Sequence, residues 1–270
     1  MYIEKIQSPA DLKKLDITAL NVVADEVRSA VLRRVSMHGG HVGPNLGFVE
    51  ATVALHYVFD APKDKLVFDV SHQCYPHKVL TGRAAGFMGD TDAMNAISGY
   101  SSPNESPIYD NFEVGHTSTS ISLATGLQKA RDIHGSDENI IAIIGDGSLS
   151  GGEAFEGLDE ASELGTGIII VVNDNEMSIA ENHGGIYKNL RALRESGGRC
   201  AHNWFKLLCQ TVRYSAKPLC PLPRAQNRVL SRCGYALPSV GWYLSRCEIH
   251  LPILLRCYPL PNIHTQIPTP

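Results

Sequence analysis

The sequence has 270 residues, of which 43% are hydrophobic, so it can bury a core as one large domain or two small ones. Its formal net charge is −4, and no apolar run approaches the roughly 18 residues of a membrane span. Its first residues contain no apolar segment typical of a secretory signal. We therefore expect a cytoplasmic protein with neither a nucleic-acid nor a membrane partner.

The first part of the chain predicts two helices separated by a glycine-rich turn. Asp16 is placed to cap a helix from Ile17 to about Ser36, in which apolar residues recur at helical spacing. Gly39-Gly40 ends this helix, and a second helix is predicted from Leu46 to Val58.

Three histidines accompany these helices. His41 lies in the connecting loop and, taken alone, is better explained by a structural hydrogen bond than by a functional role. His38 and His56 lie in no recognisable motif, so we predict that they are surface or packing residues.

The next segment predicts a buried strand that ends in polar residues. Leu66–Val70 is the apolar run, and Ser71-His72-Gln73 follows it. Cys74 is predicted to be a packing thiol, because no base is evident beside it. A short helix begins at Tyr75. Residues 86–114 are rich in Gly, Ser, Pro and Asn, which predicts a long loop over the functional edge of the domain.

A strand–helix–strand unit forms the centre of the sequence. The apolar runs Ile140–Ile144 and Ile168–Val172 are typical of strands buried on both faces of a parallel sheet, and Ser150 is placed to cap the helix between them. The loops after both strands, Gly145–Ser148 and Asn173–Met177, should emerge at one edge of the sheet. Ligands bind at that edge in open α/β sheets.

The two loops carry ligands suited to a diphosphate held through Mg²⁺. Asp146 offers a carboxylate, Asn175 an amide oxygen and Met177 a backbone carbonyl, and Mg²⁺ prefers such oxygens. Gly145 and Gly147 allow the backbone to approach a phosphate. The first loop taken alone is equally well explained as an ordinary turn, whereas both loops at this spacing are far more specific.

These features, taken together, resemble the 1-deoxy-D-xylulose-5-phosphate synthase family, which is related to transketolase. The resemblance covers about residues 1–206. The motifs that carry it are Gly39-Gly40-His41, Asp69–Gln73, Tyr75–Lys78, Leu80–Arg83, Gly115–Ser120, Gly145–Ser148 and Asn173–Ile179. The family usually has Gly where Ser71 stands, a small residue where Cys74 stands and Ser where Thr117 stands.

The resemblance implies a three-layer α/β domain with a mainly parallel sheet that binds thiamine diphosphate and Mg²⁺. It places His41 at the reaction centre as a catalytic residue. The residues implied to contact the cofactor are His72, Gly115, His116, Thr117, Gly147, Ser148 and Asn175. The implied Mg²⁺ ligands are Asp146, Asn175 and Met177.

The implied reaction condenses pyruvate with glyceraldehyde 3-phosphate and releases CO₂. Within the same class, the alternative is transfer of a two-carbon ketol unit, as in transketolase. A different alternative is a non-catalytic fragment or half-enzyme. In the family a second, pyrimidine-binding domain supplies the glutamate that activates the cofactor, and that domain cannot be located here. Family members are dimers, so we expect either a homodimer or a chain that needs its missing half.

The composition changes at residue 207. Residues 207–270 hold nine of 15 prolines, five of seven cysteines, and one acid against seven bases, whereas residues 1–206 hold 17 bases and 27 acids. We expect 1–206 to form an incomplete cofactor domain and 207–270 an irregular tail. A shift of reading frame near codon 207 explains this change better than a genuine Pro/Cys/Arg-rich extension does.

Overall fold

A computed structural model describes residues 1–165, 167–174, 184–185, 187–188, 242–246 and 249–253. In this part of the chain, short and long helices cover a sheet in which the first three strands are parallel. The helices are α1 (Pro9–Leu12), α2 (Ile17–His38), α3 (Gly43–Leu46), α4 (Val49–Val58), α5 (Tyr75–Lys78), α6 (Ala85–Met88), α7 (Thr91–Asn95), α8 (Ser120–His134), α9 (Asp146–Leu149) and α10 (Gly152–Leu164). The strands are β1 (Lys65–Phe68), β2 (Ile140–Gly145), β3 (Ile169–Asn173), β4 (Trp242–Arg246) and β5 (Ile249–Ile253).

The three parallel strands lie side by side in the order of the sequence, with β2 between β1 and β3. Phe68 pairs with Ile143, and Gly145 pairs with Asn173. The strands therefore end close to the same level, so the loops that follow them emerge together. This arrangement confirms the predicted mainly parallel sheet.

Side chains of β2 point alternately into two apolar cores, one on each face of the sheet. Ile141 and Ile143 pack in the core that includes α2 and α4. Ala142 and Ile144 pack in a second core with residues of α8 and α10. Both cores exclude water from the strand, because every one of these four side chains is 0% exposed. Helices on both faces of one sheet confirm the predicted three-layer α/β fold.

Some helix boundaries agree with the sequence and others differ from it. The helix predicted from Leu46 to Val58 begins only at Val49, and Leu46 ends the separate helix α3. Asp16 caps α2 as expected, since its carboxylate accepts a hydrogen bond from the amide of Ala19 at 2.8 Å. Ser150 does not cap α10: Gly151 occupies the N-cap, and the hydroxyl of Ser150 donates instead to the carbonyl of Gly147 at 3.3 Å. The segment 86–114, predicted to be a loop throughout, begins with α6 and contains α7.

Arg34 explains why this segment is more ordered than its composition suggests. Its side chain is buried against the segment that contains α6 and α7. It donates hydrogen bonds to the carbonyls of Gly86, Met94 and Ile97 at 2.6, 2.8 and 2.6 Å. A single side chain of α2 thus satisfies three carbonyl oxygens of this segment. The Gly- and Ser-rich composition of the segment does not reveal these contacts.

Two strands extend the sheet beyond the parallel part. β4 pairs antiparallel with β3, and β5 pairs antiparallel with β4, so that β5 forms the outer edge. Pro252 lies in this edge strand, where a missing backbone N–H is tolerated. The tail expected to be irregular contributes these two strands, and its remaining residues lie outside the described residues. No helix in the described part of the chain is long and apolar enough to cross a membrane.

Candidate functional site

Polar residues follow each parallel strand at the carboxyl edge of the sheet. Asp69 to Gln73 follow β1, Asp146 begins the short helix after β2, and Asp174 follows β3. The register between Gly145 and Asn173 places the last two of these segments next to each other. The edge at which the sequence predicted a site is therefore the edge at which these residues lie.

Asp69 connects the end of β1 to the start of α8. Its side chain is 0% exposed, and its two carboxylate oxygens accept hydrogen bonds from the amides of Ser118 and Ser120, each at 3.0 Å. Its own amide donates to the carbonyl of Ile143 in β2 at 2.7 Å. A carboxylate at the start of a helix satisfies amides that have no helical partner. Asp69 thereby holds the segment before α8 at the sheet edge.

Ser118 joins that segment to the loop after β2. Its backbone has a φ of 73°, and its hydroxyl donates to the carbonyl of Ser148 at 2.7 Å. Gly151 lies so close that a Cβ there would stand 1.9 Å from the Ser118 hydroxyl oxygen. Only glycine fits at position 151 without moving this contact. The segment before α8 and the loop after β2, which the family resemblance both assigns to the cofactor, therefore contact each other directly.

His41 and His72 form a pair at the same edge. Their ring centroids are 5.3 Å apart in an edge-to-face arrangement, and the ring of Tyr100 lies 5.6 Å from that of His41. Burial, followed by the nearby His41, lowers the pKa of His72 from its ordinary value of 6.5. His72 is therefore neutral at neutral pH and can accept a proton or a hydrogen bond through an unprotonated ring nitrogen.

Several buried polar atoms at this edge have no hydrogen-bond partner in the described part of the chain. They are Nδ1 of His41, Nδ1 of His72, Nε2 of Gln73 and Oγ of Ser120. The carboxamide oxygen of Gln73 does have a partner, since it accepts from Asn173 at 3.2 Å. Buried polar groups in proteins are nearly always paired, so this group of atoms fits a ligand that carries its own donors and acceptors.

Asp146 is the one predicted metal ligand within the described residues. It is buried at the start of α9, directly after β2. Asn175 and Met177, the other two, lie outside the described residues. No group of three His, Cys, Asp or Glu side chains in the described part of the chain could hold a metal ion. The predicted Mg²⁺ ligands are one carboxylate, one side-chain amide and one backbone carbonyl. The prediction therefore does not require three His, Cys, Asp or Glu side chains in one group.

The predicted cofactor-contacting residues before α8 lie at the surface. Gly115, His116 and Thr117 are exposed, and Nδ1 of His116 lies 2.7 Å from the carbonyl oxygen of Thr117. Gly147 is exposed as well, whereas Ser148 is buried. The structure thus brings His41, His72, Asp146 and Ser148 to one edge and leaves Gly115 to Thr117 at its rim.

Most of the sequence matches one known protein family. Residues 3–219 match the family model described as 1-deoxy-D-xylulose-5-phosphate synthase. The chain belongs to the 1-deoxy-D-xylulose-5-phosphate synthase family. The resemblance inferred from its motifs is confirmed.

Individual relatives carry the same name. The protein from Dictyoglomus turgidum is 49% identical over 213 residues, which cover 79% of this chain and 33% of the relative. The proteins from Carboxydothermus hydrogenoformans and Desulforudis audaxviator are 49% and 50% identical over 192 residues, which cover 71% of this chain and 30% of each relative. The chain thus spans about a third of the length of the curated relatives that it matches.

Within this synthase-family domain, a buried polar network lies next to the segments that carry His72 and Tyr100. His56 and His77 are stacked, with Nε2 of His56 2.9 Å from Nδ1 of His77. Nε2 of His77 lies 3.0 Å from Asp110, which also accepts two hydrogen bonds from Arg83 at 2.6 and 3.0 Å. Lys78, 0% exposed, pairs with Glu105 at 2.6 Å. The network fixes the segment that carries Tyr100 to the helix that follows His72.

The protonation states in this network follow from its geometry and burial. Burial disfavours the ionised Asp110, yet hydrogen bonds from His77 and Arg83 outweigh it and hold the pKa of Asp110 far below its usual range. Burial lowers the pKa of His77 and, with the neighbouring His77, lowers the pKa of His56 well below 6.5. Both imidazoles are thus neutral at neutral pH, and Arg83 balances the charge of Asp110. His77 donates to Asp110 and accepts from His56.

The sequence of this family member did not reveal the supporting residues. The sequence indicates only that His77 lies at a helix start and that His56 is a surface or packing residue. Asp69 lies within a family motif, but the sequence assigns it no role. A carboxylate directly after a buried strand is the one sequence feature that could have indicated Asp69.

Cys74 is buried, and burial raises the pKa of its thiol to about 12, so it is inert as the sequence suggested.

Proposed function

We propose that this chain is the diphosphate-binding part of a thiamine-diphosphate- and Mg²⁺-dependent enzyme. The complete enzyme condenses pyruvate with glyceraldehyde 3-phosphate to 1-deoxy-D-xylulose 5-phosphate and releases CO₂. The observation that carries this proposal is that His72 and Asp146 follow neighbouring parallel strands at the carboxyl edge of the sheet, with His41 beside His72, in a chain of this family. We propose these residues, with Ser148, as the core of the site.

The donor set fits the proposed cofactor. The unpartnered ring nitrogens of His41 and His72 would be available to a polar ligand, and the exposed segment Gly115 to Thr117 offers backbone amides close to the start of α8. Asp146 would supply the carboxylate for Mg²⁺, with Asn175 and Met177 as the proposed further ligands. Bound thiamine diphosphate would supply the stabilised carbanion that makes decarboxylation possible.

The residues of this chain would bind, orient and transfer protons. Asp69 and Ser118 hold the segment before α8 in contact with the loop after β2, and this contact would fix the position of a bound diphosphate. The neutral imidazole of His72 can accept a proton or a hydrogen bond at its unpartnered nitrogen. His41, next to it, is the proposed catalytic residue that exchanges a proton with substrate oxygen.

Calorimetry on the purified chain tests the cofactor site. We expect thiamine diphosphate to bind when Mg²⁺ is present and to bind at least about 100-fold more weakly after Asp146→Ala, because the metal loses its carboxylate. Asp159→Ala is the matched control, since it removes an exposed carboxylate from α10. Unchanged affinity in the Asp146 variant, or a wild-type affinity that does not depend on Mg²⁺, would show that the metal site is wrongly assigned.

The rest of the protein is part of the same proposal. We propose that residues 1–206 form the cofactor domain, that 207–270 result from a shifted reading frame, and that the enzyme is cytoplasmic. A homodimer or a separate pyrimidine-binding part would complete the site. The change in composition at residue 207 supports the boundary, although the family match extends to residue 219. Resequencing the encoding DNA across codon 207 tests it.

A further inference from the structure

We infer that Asn45 is the positioning residue that sets the distance between His41 and His72. Its role in catalysis rests on the proposed function, but its structural role does not. Nothing in the sequence pattern distinguishes Asn45, which lies in the short helix α3 directly after the histidine loop. In the structure it is 0% exposed and lies between the two loops that carry the histidines.

The carboxamide of Asn45 bonds to both loops at once. Its Nδ2 donates to the backbone carbonyl of His41 and to that of His72, each at 2.7 Å. Its oxygen accepts from the amide of Tyr75 at 2.9 Å. Both amide hydrogens and the oxygen are therefore used, in an environment that excludes water. His41 and His72 are 31 positions apart in sequence, so the bridge joins two otherwise separate segments.

A second contact closes the same arrangement. The amide of His41 donates to the hydroxyl of Tyr75 at 3.4 Å, so the loop that carries His41 also contacts the side chain of the residue whose amide is bound by Asn45. Gly40 has a φ of 130°, and a Cβ on it would stand 2.5 Å from the Tyr75 hydroxyl. The sequence predicts that Gly39-Gly40 ends the preceding helix. Because Gly40 has no Cβ, the same turn also allows the backbone to approach the Tyr75 hydroxyl closely.

The geometry excludes most replacements for Asn45. Aspartate has the same shape but presents a carboxylate to two carbonyl oxygens, which is repulsive and leaves both carbonyls unpaired. Serine has one donor and is too short to reach both loops. Because the bridge acts on backbone carbonyls, it should be insensitive to the identity of either imidazole. Its loss should let the two rings move apart without removing any group that titrates.

The coupling between the two histidines is the measurement that tests this inference. In the chain with Asn45 unchanged, His41→Gln should raise the pKa of His72, because the nearby His41 is one of the causes, after burial, that lower this pKa. We expect this effect to fall by at least half when Asn45→Ser is present. Imidazole NMR titrations of His72 in the single and double variants measure it. Asp69, the other charged group that acts on His72, is unchanged in all of these proteins.

Thr52→Val provides the matched control for a general loss of stability. Thr52 is a buried residue of α4, and its hydroxyl donates to the carbonyl of Phe48 at 2.8 Å, so this hydrogen bond lies at the start of one helix and involves neither histidine. We expect this variant to be destabilised and yet to retain the full coupling. The inference is overturned if Asn45→Ser retains the coupling of the intact chain, or if Thr52→Val loses as much.

A second measurement needs no variant of Asn45, so it does not depend on whether such a variant folds. The two side-chain amide protons of Asn45 should exchange with solvent much more slowly than those of the exposed Asn104. Equal exchange rates would contradict the bridge. Both experiments are made without cofactor. A failure of the bridge therefore leaves the proposed cofactor site untouched, and a failure of cofactor binding leaves the bridge standing.

Discussion

Ser71 shows two opposing energies at a single residue. Its φ of 63° is unfavourable for a residue with a Cβ and costs about 1–2 kcal/mol relative to glycine. Its buried hydroxyl donates to the carbonyl of Val114 and accepts from the amide of Ser101, both at 2.9 Å. Leaving two such groups unpaired costs about 1–3 kcal/mol each, so the hydrogen bonds outweigh the strain. This balance explains how serine is accommodated where the family usually has glycine.

Two variants at this position separate the two energies. Ser71→Ala loses the hydroxyl and keeps the strained Cβ, whereas Ser71→Gly loses both. We expect both variants to be less stable than the original chain by about 2 kcal/mol or more. The glycine variant should be the more stable of the two by roughly 0.5–1 kcal/mol, because relief of strain exceeds its added unfolded-state entropy. Urea unfolding measures the order, and an alanine variant more stable than the glycine variant contradicts the argument.

At the scale of elements, the segment after α7 owes its position to buried ionic and histidine contacts. Asp110 fixes one end of it through Arg83 and His77, and Glu105 pairs with Lys78. The amide of Ser102 also donates to Asp110 at 2.9 Å. These contacts place Tyr100 beside the histidine pair. One part of the segment predicted to lie over the functional edge therefore lies beside the histidine pair. No local sequence pattern indicates that the segment is held there by buried ionic contacts.

The same contacts make the stability of the fold dependent on pH. The pKa of His56 is lower in the folded chain than in the unfolded one, chiefly because of burial and then because of His77. As the pH falls below about 6.5, the unfolded chain takes up a proton that the folded chain refuses. The stability contributed by the neutral histidine is complete above that pH and is lost progressively below it.

A substitution of His56 should flatten this dependence. Each proton bound only by the unfolded state contributes a slope of about 1.4 kcal/mol per pH unit in the free energy of unfolding. His56→Gln keeps a donor near His77 but does not titrate, so we expect the slope between about pH 5 and 6 to fall by that amount. His38→Gln, which removes an exposed histidine, should leave it unchanged. Denaturant unfolding at several pH values measures both, and an unaltered slope for His56→Gln refutes the assignment.

At the scale of the whole molecule, the sequence predicted the strands and helices that a periodic pattern of apolar residues encodes. It could not predict the side-chain contacts between segments that are distant in sequence. Unbroken apolar runs identified the three parallel strands to within a few residues, because a strand buried on both faces needs such a run. The family motifs indicated which loops matter. The bridge by Asn45, the carboxylate of Asp69 and the His56–His77–Asp110 chain join residues 21 to 51 positions apart, and no local pattern encodes such pairs.

The chain spans about a third of the curated relatives that it matches, and we propose that the pyrimidine-binding part of the site lies in the remainder. A domain that holds only the diphosphate cannot orient the reactive ring of the cofactor, and orientation is a large part of the catalytic effect. We therefore expect the purified 270-residue chain to release no CO₂ from pyruvate in the presence of thiamine diphosphate and Mg²⁺.

The assay needs a positive control and a way to separate two failures. A full-length relative, such as the Dictyoglomus turgidum protein, shows that the conditions support turnover. Calorimetry on the same sample of this chain shows whether the cofactor is bound. Bound cofactor without CO₂ is the expected result, because binding needs one part of the site and catalysis needs both. CO₂ release by this chain above a protein-free blank would mean that these residues assemble a complete active site, and the division of the site proposed above would then be wrong.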